Sequence, residues 1–172
     1  MKKKQTLYTE RGYISSIGDD LPSLIPLIFA LVIFFVSFYN AHTIYRHTLA
    51  NFNITNNAVR IANILKSDRE IDSYAEFELT CKSVNPKGYN FRAGLVALSQ
   101  PFENINIYDF VNKGERIFVA DGNTFSCPLD LKEELKIDSR VVVHMVPVSY
   151  KDRNALREPI VKPMLLVVVV WE

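Results

Sequence analysis

Hydrophobic positions along this chain are strongly clustered. From Leu21 to Ala41 there are 21 residues without a charge. As a helix rising about 1.5 Å per residue, that stretch is about 31 Å long, which matches the roughly 30 Å hydrocarbon core of a bilayer. A buried helix of a soluble protein and a cleaved secretory signal are the competing readings. A signal's apolar region usually runs only about 7–15 residues and ends in small residues. Here the run is longer and ends in Phe38, Tyr39 and Asn40. A retained membrane-spanning helix is expected over 21–41. Asp19, Asp20 and Pro22 are favourable start signals for it. Pro26 removes a backbone donor and invites a kink, unless the helix begins near Leu24.

Beyond Ala41 the pattern turns amphipathic. Ile44, Leu49, Phe52, Val59, Ala62 and Leu65 recur mostly at helical spacings. They predict a stalk over 42–72, and a helix from Leu21 to Lys66 would be roughly 69 Å long. Its weak point is Asn51–Asn57, where four asparagines lower helix propensity. From Ser73 the signals become strand-like. Tyr74–Val84 alternates, with Phe77 and Leu79 on one phase, and Asn85-Pro86-Lys87-Gly88 reads as a turn into a returning strand over Tyr89–Leu98. Ile105, Ile107 and Phe110 mark another short strand. Arg116–Ala120 and Thr124–Cys127 flank the hairpin signal Asp121-Gly122-Asn123. Leu129–Leu135 suits a helical turn, and Lys151–Pro159 a loop. Arg140–Tyr150 and Val161–Trp171 are Val-rich strands, and the unbroken run Val167–Val170 predicts burial on both faces. The expected class is α+β: a long N-terminal membrane-spanning helix and stalk, then a small antiparallel β-sheet or sandwich. Its segments are a tail over 1–20, the span, the stalk, and a β domain over 73–172.

Charge decides orientation and excludes one partner class. The 172 residues carry a formal net charge of +1, which leaves no basic excess for a nucleic acid. Lys2, Lys3, Lys4 and Arg11 precede the apolar run, whereas Arg46 and Arg60 alone occupy the twenty residues after Ala41. The positive-inside rule then expects a single pass through the cell membrane, with the N-terminus cytoplasmic and the β domain outside.

Cys81 and Cys127 both fall in that outer part, where an oxidising compartment permits a disulfide between them; two separate buried thiols are the alternative. His42, His47 and His144 have no carboxylate at a metal-ligand spacing, and no nucleophile elbow, phosphate loop or calcium loop is present. No cofactor, metal or enzymatic activity is expected. Asn53-Ile54-Thr55 is an N-glycosylation triplet on the stalk.

The polar leader with Glu10-Arg11-Gly12, the long apolar helix with its internal Pro26, and the C-terminal β domain resemble type IV pilin-like proteins. The resemblance is closest to archaeal pilin-like and TadE-like ones, and covers about residues 10–45. It implies peptidase processing between Gly12 and Tyr13. The alternative leaves the leader intact, with Asp19 and Asp20 capping the helix. It further implies a structural subunit of a surface filament or secretion apparatus, oligomeric through other pilin-like helices. An envelope accessory that stays in the bilayer and binds a partner through its β domain is the competing function.

Overall fold

The computed structural model describes residues 13–66, 70–98, 106–152 and 160–172, with side chains from Leu24 onward. The chain divides into two compact units, Met1–Leu49 and Ala50–Glu172. Helix α1 runs over Tyr13–Lys66, so Asp19, Asp20, Pro22 and Pro26 all lie within helix and the aspartates do not cap it. Gly12 lies outside the described residues.

In the first unit the apolar stretch is helical and uncovered. Every large apolar side chain from Leu24 to Tyr39 is between 47% and 70% exposed. A helix from Leu24 onward is long and apolar enough to cross a membrane.

The second unit packs around a five-stranded sheet. Its strands are β1 (Glu70–Ile71), β2 (Asn90–Ala97), β5 (Ser126–Cys127), β6 (Val141–Asp152) and β7 (Ile160–Trp171), in the order β1-β6-β7-β2-β5. The β6–β7 and β2–β7 pairs are antiparallel, as expected of the two Val-rich strands. β1 pairs parallel with β6, so the sheet is mixed and single, not a sandwich. β3 (Val119–Ala120) and β4 (Asn123–Thr124) form a separate hairpin. Asp121 and Gly122 sit at φ 53° and 76°, which suits the two positive-φ positions of a tight two-residue turn.

Both faces of the sheet are covered. On one face, Ile54, Ala58, Ile61, Ala62 and Leu65 of α1 join Phe77 and Cys81 against Met164, Leu166, Val168 and Val170. The spacing of these α1 residues is that of a single helical face. On the other face, Phe110, Val111, Ile117 and Leu135 meet Val167, Val169 and Trp171. The run Val167–Val170 is therefore buried from both sides, as its lack of polar alternation predicts.

Four expectations change. Tyr74–Lys82 is a helix, α2, not a strand. Ser73 Oγ accepts from the Glu76 backbone N–H at 3.3 Å, capping α2, and the Ser-Tyr-Ala-Glu spacing is that of a capping box. Asp109–Lys113 is a π-helical turn closed by Gly114 at φ 70°, where a strand through Phe110 was expected; Ile105 lies outside the described residues. Leu129–Leu135 holds bends without a helical turn. The end of α1, assigned above to a stalk, belongs to the core of the second unit. Ile44, Leu49 and Phe52 stay exposed, and burial begins at Ile54.

Candidate functional site

The chemistry-bearing residues are dispersed. His42 and His47 are exposed on α1, and His144 is half-buried in β6 opposite Val168. Among the described residues, no group of three or more His, Cys, Asp or Glu side chains is placed to hold a metal ion. Asn53 is exposed on α1, and Thr55 of its triplet is exposed as well. Tyr13 lies in α1.

Cys81 and Cys127 form a disulfide, with their Cα atoms 6.0 Å apart. The bond ties α2 to the edge strand β5, two short elements otherwise joined through a long excursion of chain. Both sulfurs sit in the core: Cys81 is 8% and Cys127 2% exposed.

Two groups on the rim of the core are fixed by specific polar contacts. Asn57 on α1 donates from Nδ2 to the Pro86 carbonyl at 2.7 Å, and its Oδ1 accepts from Arg60 Nη2 at 2.8 Å. Arg60 also donates to the Asn85 carbonyl. The turn between α2 and β2 is thereby clamped to α1. On the opposite face of the sheet, Arg92 is buried and donates from Nη1 to the Val111 carbonyl at 2.6 Å. Burial lowers the pKa of its guanidinium below the usual value. A side chain at Gly114 would meet Arg92 Nη2 at 3.1 Å, and its φ of 70° also suits glycine. Arg92 thus caps the carbonyl end of the π-helical turn, a structural task.

The second unit carries a cleft of about 680 Å³ between the end of α2, the start of β2 and the segment following β5. Phe91, Leu129, Leu131 and the disulfide give it apolar walls, and Glu78, Lys82, Asp130 and Lys132 line it as well. Lys82 pairs with Glu78 at 2.8 Å. Sequence reasoning missed this cleft, because it forms only where α2 replaces the expected strand.

No family model matches the chain, and no curated protein or solved structure matches it.

Proposed function

We propose that this protein is a membrane-anchored, pilin-like structural subunit whose apolar helix packs against the helices of other subunits, with its β unit displayed outside the cytoplasm. The observation that carries the reading is the sidedness of α1 past the apolar run. Phe38, Ala41, Tyr45 and Leu49 recur at spacings of three and four and all are exposed, with the polar Thr48 and His42 at the borders of their stripe. Asn40, Thr43 and His47 recur on the opposite side of the helix. Lipid tails surround a helix evenly and select no side. An apolar stripe backed by a polar one is what a neighbouring helix selects. The disulfide suits the oxidising side of the membrane, and the four-to-two basic asymmetry supports a cytoplasmic N-terminus.

The test is electron microscopy of sheared surface material with mass spectrometry of its subunits. Recovery of this chain in filaments supports the reading. Its retention in the membrane fraction of cells with normal filaments favours the accessory protein instead. The same mass spectra report the N-terminus, and a first residue of Tyr13 identifies processing after Gly12. Alkylation of the unfolded, non-reduced protein checks the compartment: neither Cys81 nor Cys127 should be labelled.

A further inference from the structure

The five-stranded sheet ends at β5, and β5 is shorter than the strand it protects. Ala93 pairs with Cys127 and Gly94 with Ser126, and the Leu95 N–H reaches the Phe125 carbonyl at 3.0 Å. The Leu95 carbonyl accepts from the Phe118 N–H at 2.7 Å. Leu95 therefore turns both backbone groups toward the outer edge, and by the alternation of an antiparallel ladder so do Ala93 and Phe91. Continued one step, the register would set Leu129 against Phe91. The chain bends away over Pro128–Asp130 instead. Among the described residues, no backbone hydrogen bond reaches the outer edge of β2 at Phe91.

That uncovered end of β2 borders the 680 Å³ cleft. Ser126 and Trp171 also line the cleft, each 2% exposed, and Ser126 Oγ and Trp171 Nε1 have no hydrogen-bond partner. An open strand edge with an apolar pocket at side-chain distance is what an added peptide strand requires.

We propose that this cleft binds an extended peptide segment of a partner protein. The segment is added as a strand beside β2 at Phe91, with an aliphatic side chain placed between α2 and Leu129–Leu131. Acidic and basic groups are balanced along the cleft, so a segment of low net charge is selected. The peptide backbone is what identifies the occupant. A second chain in extended form supplies a donor and an acceptor to one residue of a strand edge at once. This inference goes beyond the subunit reading above and holds whether or not the protein enters a filament.

The test uses the full-length protein in lipid nanodiscs, panned against a random decapeptide display library, with enriched peptides then synthesised. Trp171 is the sole tryptophan of the chain, so its fluorescence reports occupancy of the cleft directly. The expected result is enrichment of peptides with alternating aliphatic residues that shift Trp171 emission. Methylating the one backbone nitrogen that faces Phe91 should weaken binding about tenfold, the weight of one backbone hydrogen bond. Methylating the neighbouring nitrogens, or replacing Leu79→Glu on the exposed side of α2, should leave it unchanged, whereas Leu129→Glu should abolish it. No enrichment, binding without a change in Trp171 emission, or binding indifferent to N-methylation at every position would each overturn the proposal. The N-methylation series needs no altered protein and so does not depend on any variant folding.

Discussion

Helix α1 contains two regions with opposite fates. From Leu24 to Tyr39 its large apolar side chains are all at least 47% exposed. Between Ile54 and Leu65 the apolar residues are fewer, yet Ile54, Ala58, Ile61 and Ala62 are completely buried and Leu65 is 2% exposed. Composition alone would rank the first region as core and the second as surface. What separates them is order. The second region repeats its apolar residues on one face, and a sheet can cover one face. The first is apolar on every side, and a small domain has no surface to meet it. An all-round apolar helix must find its solvent elsewhere, in lipid or among other helices.

The largest expected effect comes from cutting the chain between the two regions. A fragment of residues 50–172 keeps the buried seam of α1 and should be a soluble monomer with a cooperative thermal transition. A fragment beginning at Ser73 loses Ile54, Ala58, Ile61 and Leu65, and with them the cover over Met164, Leu166, Val168 and Val170. It should aggregate, as read by size-exclusion chromatography. If the shorter fragment folds equally well, the second half of α1 is a mere stalk and the contrast fails.

Single substitutions give the same contrast at finer grain. Ile61→Ala removes a completely buried side chain and should cost about 2–5 kcal/mol of stability in the second unit. Ile33→Ala, at a position 64% exposed, should leave the thermal transition of that unit unmoved in detergent. Equal shifts for the two variants would show that exposure along α1 does not track its energetics.

How much of this was legible in the sequence depended on how local each signal was. The apolar run, the turn at Asp121-Gly122-Asn123 and the doubly buried Val167–Val170 are each encoded within a few residues, and each appears where expected. Helix α2 was legible and misread. Phe77 and Leu79 suggested alternation, but only Phe77 is buried and Leu79 is 68% exposed, while Ser73 and Glu76 spell a helix start. The parallel pairing of β1, the clasp of Arg92 on the Val111 carbonyl and the cleft beside β5 were not legible, because each joins residues distant in sequence with no local pattern to mark them. Asn57 is the clearest example. Among four asparagines that look like a weakness in the helix, it is the one that is buried and holds the turn at Pro86.

That clamp predicts a smaller loss. Asn57→Ala leaves the Pro86 carbonyl without its donor and Arg60 without one of its acceptors. The expected cost is about 1–3 kcal/mol, read by chemical denaturation of the 50–172 fragment. Asn63→Ala, on the exposed side of the same helix, should cost little and could even add stability through helix propensity. If the two alanines behave alike, the polar residues of α1 serve only solvation and the second region is held by its apolar seam alone.

The smallest effect belongs to Tyr74, at the start of α2 where the packed region meets solvent. Its ring stands edge-on to Phe125, with centroids 5.4 Å apart. Its phenol has a raised pKa, first because burial disfavours the phenolate, then because Glu78 is near, with Lys82 opposing. A phenol that holds its proton more tightly in the folded chain favours folding while both states are protonated. That advantage is intact below the ordinary tyrosine value near 10 and is lost as the pH climbs from there through the raised folded-state value. Tyr74→Phe keeps the ring against Phe125 and removes the ionisation. The variant should match the parent in thermal stability at pH 7, then lose less than the parent between about pH 9 and pH 11. The difference between the two curves is the quantity to read. Parallel curves would mean that Tyr74 is as well solvated folded as unfolded, and that the packed region ends before it.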